Sequence, residues 1–490
     1  MRGVPALLYA RADMRVTRTA LLVSALVSSA CGDDVRTPPA APSDTCQLER
    51  PTVADWRLRA DGTRLRDALG RVVFLRGVNM GGHSKLPPFS PFEYAAGPGG
   101  HDAALEAYVA RAASWGIDVA RVPFTWEAVE PTRGQDDVEF LARYDALLDA
   151  LWRRGIYTII DAHQDVYARV FCGSGFPAWT LPTVPGPPHH DCPGWGFAYT
   201  NDRGVQGAFD RFFAEGSTVQ ADYAAMWDRM AARHADRPGV VALEIMNEPG
   251  WGSADLRTFE RAVLTPFFSR LAARLRARAP STLVLFEPNG LSGVTLETAL
   301  ERPDGDGLVF APHYYQLAVG NGGAVAADLG KWADLAARFG TPLLLGEFGV
   351  TTDDPFGASY MRAHFDALDA LQAHGTEWEY SVTSEVWNEE HLSLVDAQGN
   401  ELPVATAIIR PYPRAVAGEP SAFSVDSAGA LSLRYAPREG ITEIATPARA
   451  FPTGRVVTIE GGCHDASDPE RVLVRASMGA TEVVVRVARR

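Results

Sequence analysis

Short apolar runs alternate with longer amphipathic stretches over residues 72–387, and this alternation limits the folds open to the chain more than any other feature. An apolar run followed by a helix-like stretch is typical of a βα unit, whose strands form a parallel sheet. There are eight such runs: VVFLRGVNM at 72, VARVPFTW at 119, IYTIIDAHQ at 156, VVALEIMNEP at 240, TLVLFEPN at 282, LVFAPHYY at 308, PLLLGEFG at 342 and WEYSVTSEVW at 378. Eight consecutive units predict an α/β fold closed into a (β/α)8 TIM barrel. The alternative is an open doubly wound sheet, but no glycine-rich phosphate motif follows the first run.

Two further patterns complete the expected organisation. Between the runs, apolar residues at three- and four-residue spacing predict helices over 103–114, 138–154, 221–234, 256–279, 327–339 and 358–374. After Pro411, short alternating runs separated by Gly, Pro and Asp predict a C-terminal antiparallel β-sandwich domain. We therefore expect a barrel domain over 51–405 and a β-sandwich domain over 406–490 that caps and stabilises it.

The first 50 residues have the pattern of an export signal followed by a flexible tether. Two arginines precede an apolar run over 20–27 that is far too short to span a bilayer. Cys31 follows Ser-Ser-Ala and precedes a Pro- and Ala-rich stretch, as at a bacterial lipoprotein processing site, although ordinary signal peptidase would also accept the residues before it. We expect a signal segment over 1–30, a tether over 31–50, and an exported protein that is either secreted or lipid-anchored to the membrane through Cys31.

Four more cysteines would then meet an oxidising compartment, where disulfides form. Four cysteines allow three pairings. Cys172 and Cys192 lie in one loop rich in Gly and Pro, so we predict a local bridge between them, which leaves Cys46 to pair with Cys463. The alternative is four buried thiols.

The formal charge of −14 argues against a nucleic-acid partner or an anionic membrane surface, because either would normally require a basic face. A neutral substrate such as a sugar fits this charge better. The hydrophobic content of 46% is that of a globular domain and indicates no disordered or fibrous class. We expect a monomer that needs no cofactor.

Two glutamates lie where barrel enzymes place their working residues, at the carboxyl ends of strands. The fourth run ends in Asn-Glu-Pro with Glu248, and the seventh contains Gly-Glu-Phe-Gly with Glu347. Hydrolysis of a glycosidic bond needs a protonated acid at the leaving oxygen and a second carboxylate, which attacks the anomeric carbon directly when the gap is about 5 Å. We assign Glu248 as the acid/base and Glu347 as the nucleophile of a retaining β-glycosidase. The alternative, a pair of helix caps or surface acids, is disfavoured because both lie at strand ends.

Other predicted strand ends supply polar groups that such a site requires. Arg121 can hold the nucleophile ionised, or else form a structural salt bridge. His163 and Asp165 in DAHQD, and His313 and Tyr315 in HYY, are candidates for binding sugar hydroxyls or orienting the nucleophile. Four residues, His163, Asp165, His313 and Glu347, could also cluster as metal ligands, but they show no HxH or HExxH spacing, so we expect no metal.

Aromatic residues suggest where a substrate lies. Trp378 and Trp387 flank the eighth run and are candidates for a floor under a sugar ring, although either could simply be core. The loop over 166–217 is rich in Phe, Trp and Tyr. Apolar surface beside a polar cleft suits a lipid aglycone, and the alternative is a loop that folds on itself as a small subdomain.

The NEP, GEFG, RVPFTW and HYY segments resemble those of glycoside hydrolase family 5, the (β/α)8 retaining enzymes that include cellulases. Three longer stretches, LRGVNMGGHSKLPPF at 75–89, DAHQDVYARVFCGSGFPAW at 161–179 and RPYPRAVAGEP at 410–420, are similar to the endoglycoceramidase branch of that family. The resemblance covers most of the chain, and that branch also carries a C-terminal β-sandwich. This sequence differs from that branch near the eighth run, where the branch usually has a more aromatic sequence.

By this resemblance, Lys85 reaches sugar hydroxyls, and five further residues fall on sugar-contact positions: His163, Asp165, Asn247, His313 and Tyr315. The implied reaction releases an intact glycan from ceramide, so the expected partner is a glycolipid. The alternative keeps the chemistry and changes the substrate to a soluble or steryl β-glycoside, as for a β-glucosidase or endoglucanase. A non-catalytic binding protein would be expected to lack one of the two acids, and both are present.

Overall fold

The structure is a computed structural model that describes residues 44–53, 55–316 and 322–490. The predicted signal segment and Cys31 lie outside the described residues. The tether predicted to extend to residue 50 is wrong for its last seven residues: Thr45 forms a parallel bridge with His464, and Cys46 is disulfide-bonded to Cys463. This bridge and the one between Cys172 and Cys192 confirm both predicted pairings.

Three short strands precede the barrel: β1 (Arg59–Asp61), β2 (Arg64–Arg66) and β3 (Val72–Val73). The barrel strands follow as β4 (Arg76–Asn79), β5 (Val119–Phe124), β6 (Tyr157–Ala162), β7 (Val240–Glu244), β8 (Leu283–Phe286), β9 (Leu308–Phe310), β10 (His313–Tyr314), β11 (Leu344–Leu345), β12 (Glu347–Phe348) and β13 (His374–Glu377). Parallel pairing runs from β11 through β13, β4, β5, β6, β7 and β8 to β9. The ring closes where Phe310 bridges Leu343 and where β10 pairs with β12, which confirms the predicted closed barrel.

The helices cover the outside of this ring. They are α1 (Gly100–Ser114), α2 (Trp126–Val129), α3 (Val138–Arg153), α4 (Ala198–Asn201), α5 (Arg203–Phe213), α6 (Thr218–His234), α7 (Leu256–Phe259), α8 (Thr265–Arg278), α9 (Ser292–Thr295), α10 (Val325–Phe339) and α11 (Gly357–Leu371). A π-helical segment, Glu260–Leu264, joins α7 to α8. Short 3-10 turns occur at Gly82–Lys85, Arg169–Phe171, Ala178–Thr180, Trp195–Phe197, Trp387–Glu389, Pro403–Ala407 and Ala448–Ala450. No helix in the described ranges is both long and apolar enough to cross a lipid bilayer.

Two of the predicted strands are misplaced. The first run divides, because Val72 and Val73 pair with the C-terminal domain and only Arg76–Asn79 enters the barrel. The eighth strand is His374–Glu377, and WEYSVTSEVW forms the loop that follows it. His374–Glu377 contains no aliphatic side chain, so its pattern did not indicate a strand. A consequence for the site is that Trp378 stands directly at a strand end.

The C-terminal domain is the predicted antiparallel β-sandwich. Its strands are β14 (Tyr412–Val416), β15 (Gly418–Val425), β16 (Leu431–Pro437), β17 (Thr442–Ala445), β18 (Arg455–Glu460), β19 (Gly462–Asp465), β20 (Arg471–Ala476) and β21 (Val483–Arg489). One sheet has the order β1-β2-β3-β14-β17-β20-β19 and the other β15-β16-β21-β18. Alternate residues such as Val483, Val485 and Val487 fill the core between the sheets. The segment 59–73 therefore belongs to this sheet, although we had assigned it to the barrel domain.

The barrel interior is apolar at its lower end and polar at its upper end. Alternate strand residues such as Val119, Ile159 and Leu285 pack inside and meet Leu65 and Val73 of the N-terminal strands below. Nearer the carboxyl ends of the strands, the inward positions carry Arg, Asn, Asp and Glu side chains, all buried. The chemistry is therefore placed at the mouth, as in other barrels.

Candidate active site

Glu347 lies on β12, in register with His313 on β10. Its neighbour Phe348 faces the outer core, so strand alternation turns Glu347 inward. Gly346 allows the close approach of the two strands, because a Cβ at that position would lie 3.1 Å from the His313 ring.

The Glu347 carboxylate accepts one hydrogen bond at each oxygen. Arg121 Nη1 donates to Oε1 at 2.7 Å, and the Tyr315 hydroxyl donates to Oε2 at 2.9 Å. Burial favours the neutral form, but the positive charges of His313 and Arg121 outweigh it and lower the pKa of Glu347 below its usual value. This carboxylate is therefore ionised at neutral pH, as a nucleophile must be.

Arg121 is fully buried and organises the floor of the site. Besides Glu347, its guanidinium donates to Glu244 at 2.6 Å, to Asn79 at 2.9 Å and to Asn247 at 2.8 Å. These charge-assisted bonds fix the guanidinium plane and with it the position of the Glu347 carboxylate.

Glu248 follows β7 and has a left-handed backbone, with φ of 42°. A side chain other than glycine is strained in this region, so the surrounding contacts must hold it. Gln164 and Tyr199 donate to its carbonyl oxygen at 2.6 and 3.0 Å, and its N–H donates to the Glu287 carboxyl group at 2.9 Å. Gly290 lies directly beside it, where a Cβ would come within 3.1 Å of the Glu248 Cβ.

His313 lies between the two acids. Its Nδ1 is 2.9 Å from Glu248 Oε1 and 3.4 Å from Glu347 Oε2, and one carboxylate oxygen of each acid lies within 4.8 Å of the other. Burial and the negative charge of Glu347 raise the pKa of Glu248, although its contact with His313 opposes this. One acid is thus biased toward the charged form and the other toward the protonated form, at a spacing typical of a retaining glycosidase.

A second polar group surrounds Lys85, which the Gly82–Lys85 turn places just after β4. Lys85 Nζ is 2.9 Å from Asp165, and the His163 ring bonds Asp161 at 2.7 Å and lies 3.3 Å from Asp165. Burial lowers the pKa of His163, but the two aspartates dominate and raise it to about 9. These side chains form a rigid, charged wall.

Trp378 completes this wall. Its ring stacks on His163 at 5.2 Å between centroids, and Lys85 Nζ lies 4.5 Å from its centre. Trp387 is buried, with Lys85 Nζ 3.8 Å from its ring. Only Trp378 of the two predicted tryptophans lines the cavity above the acids. Trp387 therefore packs against Lys85 on the side away from the cavity. The two tryptophans, which the sequence made equal candidates for the floor under a sugar ring, thus have different roles.

A cavity of about 360 Å³ opens above Glu248 and Glu347, and Lys85, Asp165 and Tyr315 also line it. His163, Asn247, His313 and Arg121 are buried around it and act through the residues that face the cavity. Apolar and aromatic residues also line the cavity: Phe197, Tyr199, Trp251, Leu291 and Val294, with Trp195 next to Lys85 and Glu390. Phe197 is 70% exposed and would shield only part of a bound apolar group from water.

The loop over 166–217 is partly a packed subdomain and partly a lining of the cavity. Phe176, Phe209 and Phe212 are buried in the barrel's outer core, so part of the loop folds as a subdomain stabilised by the Cys172–Cys192 bridge. Trp195 and Phe197, at its far end, face the cavity.

Sequence reasoning missed several acids of the site: Asp161 and Glu244, which bond Arg121, and two more that lie close to the catalytic pair or Lys85. Glu287, at the end of β8, accepts from the Glu248 N–H and lies 3.5 Å from His313 Nε2. Glu390, in the loop after β13, lines the cavity 3.9 Å from Lys85, and burial raises its pKa to about 7. Glu287 had a recognisable signal, since Glu-Pro ends its run just as it ends the fourth. Glu390 had none, because it lies in a loop among other acids.

Within the described ranges, three groups of side chains come close enough to hold a metal ion: Glu248–His313–Glu347, Glu244–Glu287–His313 and Cys172–His189–Cys192. Both cysteines of the third group are in a disulfide and offer no thiolate. The first two groups adjoin the Arg121 guanidinium, so a divalent cation there would lie beside a permanent positive charge, which disfavours its binding.

Comparison with known proteins agrees with this geometry. Residues 82–384 match the model of the cellulase family, glycosyl hydrolase family 5, and residues 410–487 match the glycoside hydrolase family 5 C-terminal domain. The chain belongs to glycoside hydrolase family 5. It is accordingly a glycoside hydrolase, as the two strand-end glutamates predicted.

Individual members of the family extend the likeness over both domains. The chain is 29% identical over 479 residues to endoglycoceramidase I of Rhodococcus hoagii, covering 88% of each chain. Endo-glycoceramidase II from Rhodococcus sp., solved in complex with ganglioside GM3, has a TM-score of 0.73 at 27% identity, covering 88% of this chain and 100% of that one. The same enzyme was solved as a lactosyl-enzyme intermediate, with a TM-score of 0.72 at 27% identity, covering 87% and 99%. A shorter match, 32% over 152 residues, relates 26% of this chain to 19% of the ergosteryl-β-glucosidase of Saccharomyces cerevisiae.

Proposed function

We propose that this family 5 hydrolase is a retaining endo-β-glycosidase that cleaves the linkage between oligosaccharide and ceramide in glycosphingolipids. One observation carries the proposal: two carboxyl groups whose pKa values are shifted in opposite directions lie within 4.8 Å of each other, under a cavity lined by both polar and apolar residues. A glycolipid presents both kinds of surface, with a sugar on one side of the scissile bond and hydrocarbon on the other.

The reaction then proceeds by double displacement. Glu347 attacks the anomeric carbon and forms a glycosyl ester, while Glu248 donates its proton to the glycosidic oxygen and ceramide leaves as an alcohol. Glu248, now a carboxylate, removes a proton from water; the resulting hydroxide equivalent attacks the anomeric carbon and releases Glu347. Two inversions retain the β configuration, and both carboxyl groups return to their starting protonation.

The contacts around the acids explain how each changes role. While Glu347 is charged, its field helps to keep Glu248 protonated. Once Glu347 becomes a neutral ester, that field disappears and the pKa of Glu248 falls, so Glu248 becomes a base for the second step. Arg121 and Tyr315 stabilise Glu347 both as the attacking and as the departing carboxylate.

Two sets of residues orient the substrate. Lys85, Asp165 and Trp378 form the polar side, where hydroxyl groups can be bound and a sugar ring can stack. Tyr199, which donates to the Glu248 carbonyl oxygen, and Leu291, which follows Gly290 beside Glu248, suit the start of the ceramide chains. The similarity to endoglycoceramidases supports a glycosphingolipid substrate, because one of them was solved with a ganglioside and as a lactosyl-enzyme intermediate.

The experiment is to incubate the protein with lactosylceramide, glucosylceramide and cello-oligosaccharides in parallel and to identify the products by mass spectrometry. We expect intact lactose and ceramide from the first substrate. Glu347→Gln serves as the inactive control. Release of sugar from cello-oligosaccharides alone would refute the lipid assignment and leave the chemistry intact.

A second candidate is a β-glucosidase that acts on steryl or soluble glucosides. It is favoured by the partial similarity to the ergosteryl-β-glucosidase and by apolar residues in the cavity that a sterol could also contact. If the protein cleaved a steryl glucoside faster than any glycosphingolipid, this second candidate would be the correct one.

We further propose export, with Cys31 as the point of lipid attachment, and a monomeric state. Two disulfides in the described residues support an oxidising destination. Expression in a bacterium with lipoprotein processing, followed by the mass of the mature N-terminus, tests this, with Cys31→Ala as the control. An unmodified N-terminus at residue 31 would indicate a secreted protein instead.

A further inference from the structure

A second cleft of about 340 Å³ adjoins the catalytic cavity. Both are lined by Glu390 and Leu392, and the second cleft continues past Trp387 to the loops after β12 and β13. Hydroxyl groups line much of it, including Thr352 and Ser393. With Trp387 and Leu392 beside these hydroxyl groups, the cleft offers a glycan both polar and apolar contacts.

The position of this cleft fixes which end of a substrate it would receive. The leaving group departs from the side of Glu248, where Gly290 and Tyr199 lie, with Trp251 stacked on Tyr199. Lys85 and Glu390 lie on the polar side, and Glu390 is shared with the second cleft. This assignment rests on the proposed function: the second cleft binds the sugars that lie beyond the one bonded to ceramide.

The charge of this cleft is one-sided. Glu379, Glu385, Glu390 and Asp396 line it, and within the described residues no lysine or arginine does. Hydrogen bonds from Asn400 lower the pKa of Asp396, and the Glu385 carboxyl group is half-exposed.

Three histidines lie in or beside the cleft, and His391, which lines it, has an exposed side chain. His83 and His190 both face the Glu385 carboxylate, at 3.5 and 3.0 Å. Burial raises the pKa of Glu379 to about 8, so it is largely protonated and can donate to a sugar oxygen.

We infer that this cleft selects neutral oligosaccharides and disfavours glycans that carry an acidic sugar, such as sialic acid. A sugar carboxylate bound there would face Glu385 and Asp396, and it would meet no lysine or arginine among the described residues that line the cleft. Repulsion between the sugar carboxylate and the carboxylates of the cleft, together with the loss of water around the sugar carboxylate, is expected to weaken binding of the acidic glycan by about ten-fold. Specificity of this kind comes from a repulsive contact with the wrong substrate rather than from an added contact with the right one.

The test compares kcat/KM for lactosylceramide and for ganglioside GM3, which differ by one sialic acid, in the same neutral detergent micelles. We expect lactosylceramide to be preferred about ten-fold. Glu385→Lys should narrow the preference by at least about three-fold, because it replaces the repulsive group with an attractive one.

A matched control removes the effect of overall charge, since the whole chain is acidic. Glu482 in the C-terminal domain is 47% exposed, as is Glu385, and Glu482→Lys changes the net charge equally. It should leave the preference unchanged. As a second measurement, the wild-type preference should shrink between 50 and 500 mM salt, because electrostatic discrimination is screened.

Equal rates on the two glycolipids, or a preference that neither Glu385→Lys nor salt alters, would overturn this inference and leave the proposed function standing. No release of sugar from either glycolipid would overturn both.

Discussion

The hydroxyl of Tyr315 gives the sharpest prediction about the nucleophile. It donates to Glu347 Oε2 at 2.9 Å, and burial and Glu347 itself raise the pKa of Tyr315 well above its usual value, so the hydroxyl remains a donor throughout the working range. A hydrogen bond to a charged group contributes about 1.5–3 kcal/mol. At 1.36 kcal/mol per pKa unit, Tyr315→Phe should raise the pKa of Glu347 by about 1–2 units.

The assay is the pH profile of kcat/KM, whose acidic limb reports the carboxylate that must be ionised in the free enzyme. Loss of a donor destabilises the charged form, so the acidic limb should move to higher pH by about 1–2 units, while the basic limb, which reports the protonated acid, moves less. Tyr314→Phe is the control, because that hydroxyl donates to Asp328 at 2.7 Å, away from the cavity. An acidic limb that stays in place in an active Tyr315→Phe variant would refute the assignment of Glu347.

Three further predictions follow from the same contacts. Glu248→Ala should lose turnover of glycolipids yet regain it with azide on an activated aryl β-glycoside, giving the β-glycosyl azide; an α product, or no rescue, would argue against Glu248 as acid/base. Glu287→Ala should lower kcat about ten-fold or more by releasing the strained Glu248 backbone, whereas Glu287→Gln, which keeps an acceptor for that N–H, should stay within about three-fold; equal losses would show that no such hydrogen bond matters. Replacing Cys46 and Cys463 by alanine should reduce the free energy of unfolding by about 2–5 kcal/mol, measured by denaturant titration, since their bridge closes a span of 417 residues; unchanged stability would contradict this.

Local patterns were sufficient to predict the barrel and the meeting of Glu248 with Glu347. In a parallel barrel the carboxyl ends of all strands gather at one mouth, so two acids at strand ends converge whatever their separation in sequence. The same rule placed Arg121, His313 and Tyr315 correctly beside them. The β-sandwich followed from alternation with a period of two.

The features that were missed depend on contacts distant in sequence. Val72 and Val73 are apolar in either sheet, and only their pairing with Ala415 and Val416 assigns them to the C-terminal domain. His374–Glu377 forms a barrel strand with almost no apolar residue, since its neighbours on both sides impose the extended conformation. Trp378 and Trp387 could be separated only once the loop between them was placed.

Glu390 illustrates a different reason for failure. It matters because burial beside Lys85 raises its pKa, and neither burial nor the identity of its neighbour can be read from a loop sequence.

The central claim, that Glu347 is the nucleophile of a retaining mechanism, is tested most directly by trapping the glycosyl-enzyme. A 2-deoxy-2-fluoro β-lactoside with a good leaving group slows release of the intermediate, and peptide mass spectrometry then locates the attached sugar. We predict a single adduct on Glu347, absent from Glu347→Gln. An adduct on another carboxylate would contradict that claim, as would turnover of a natural substrate with inversion at the anomeric carbon.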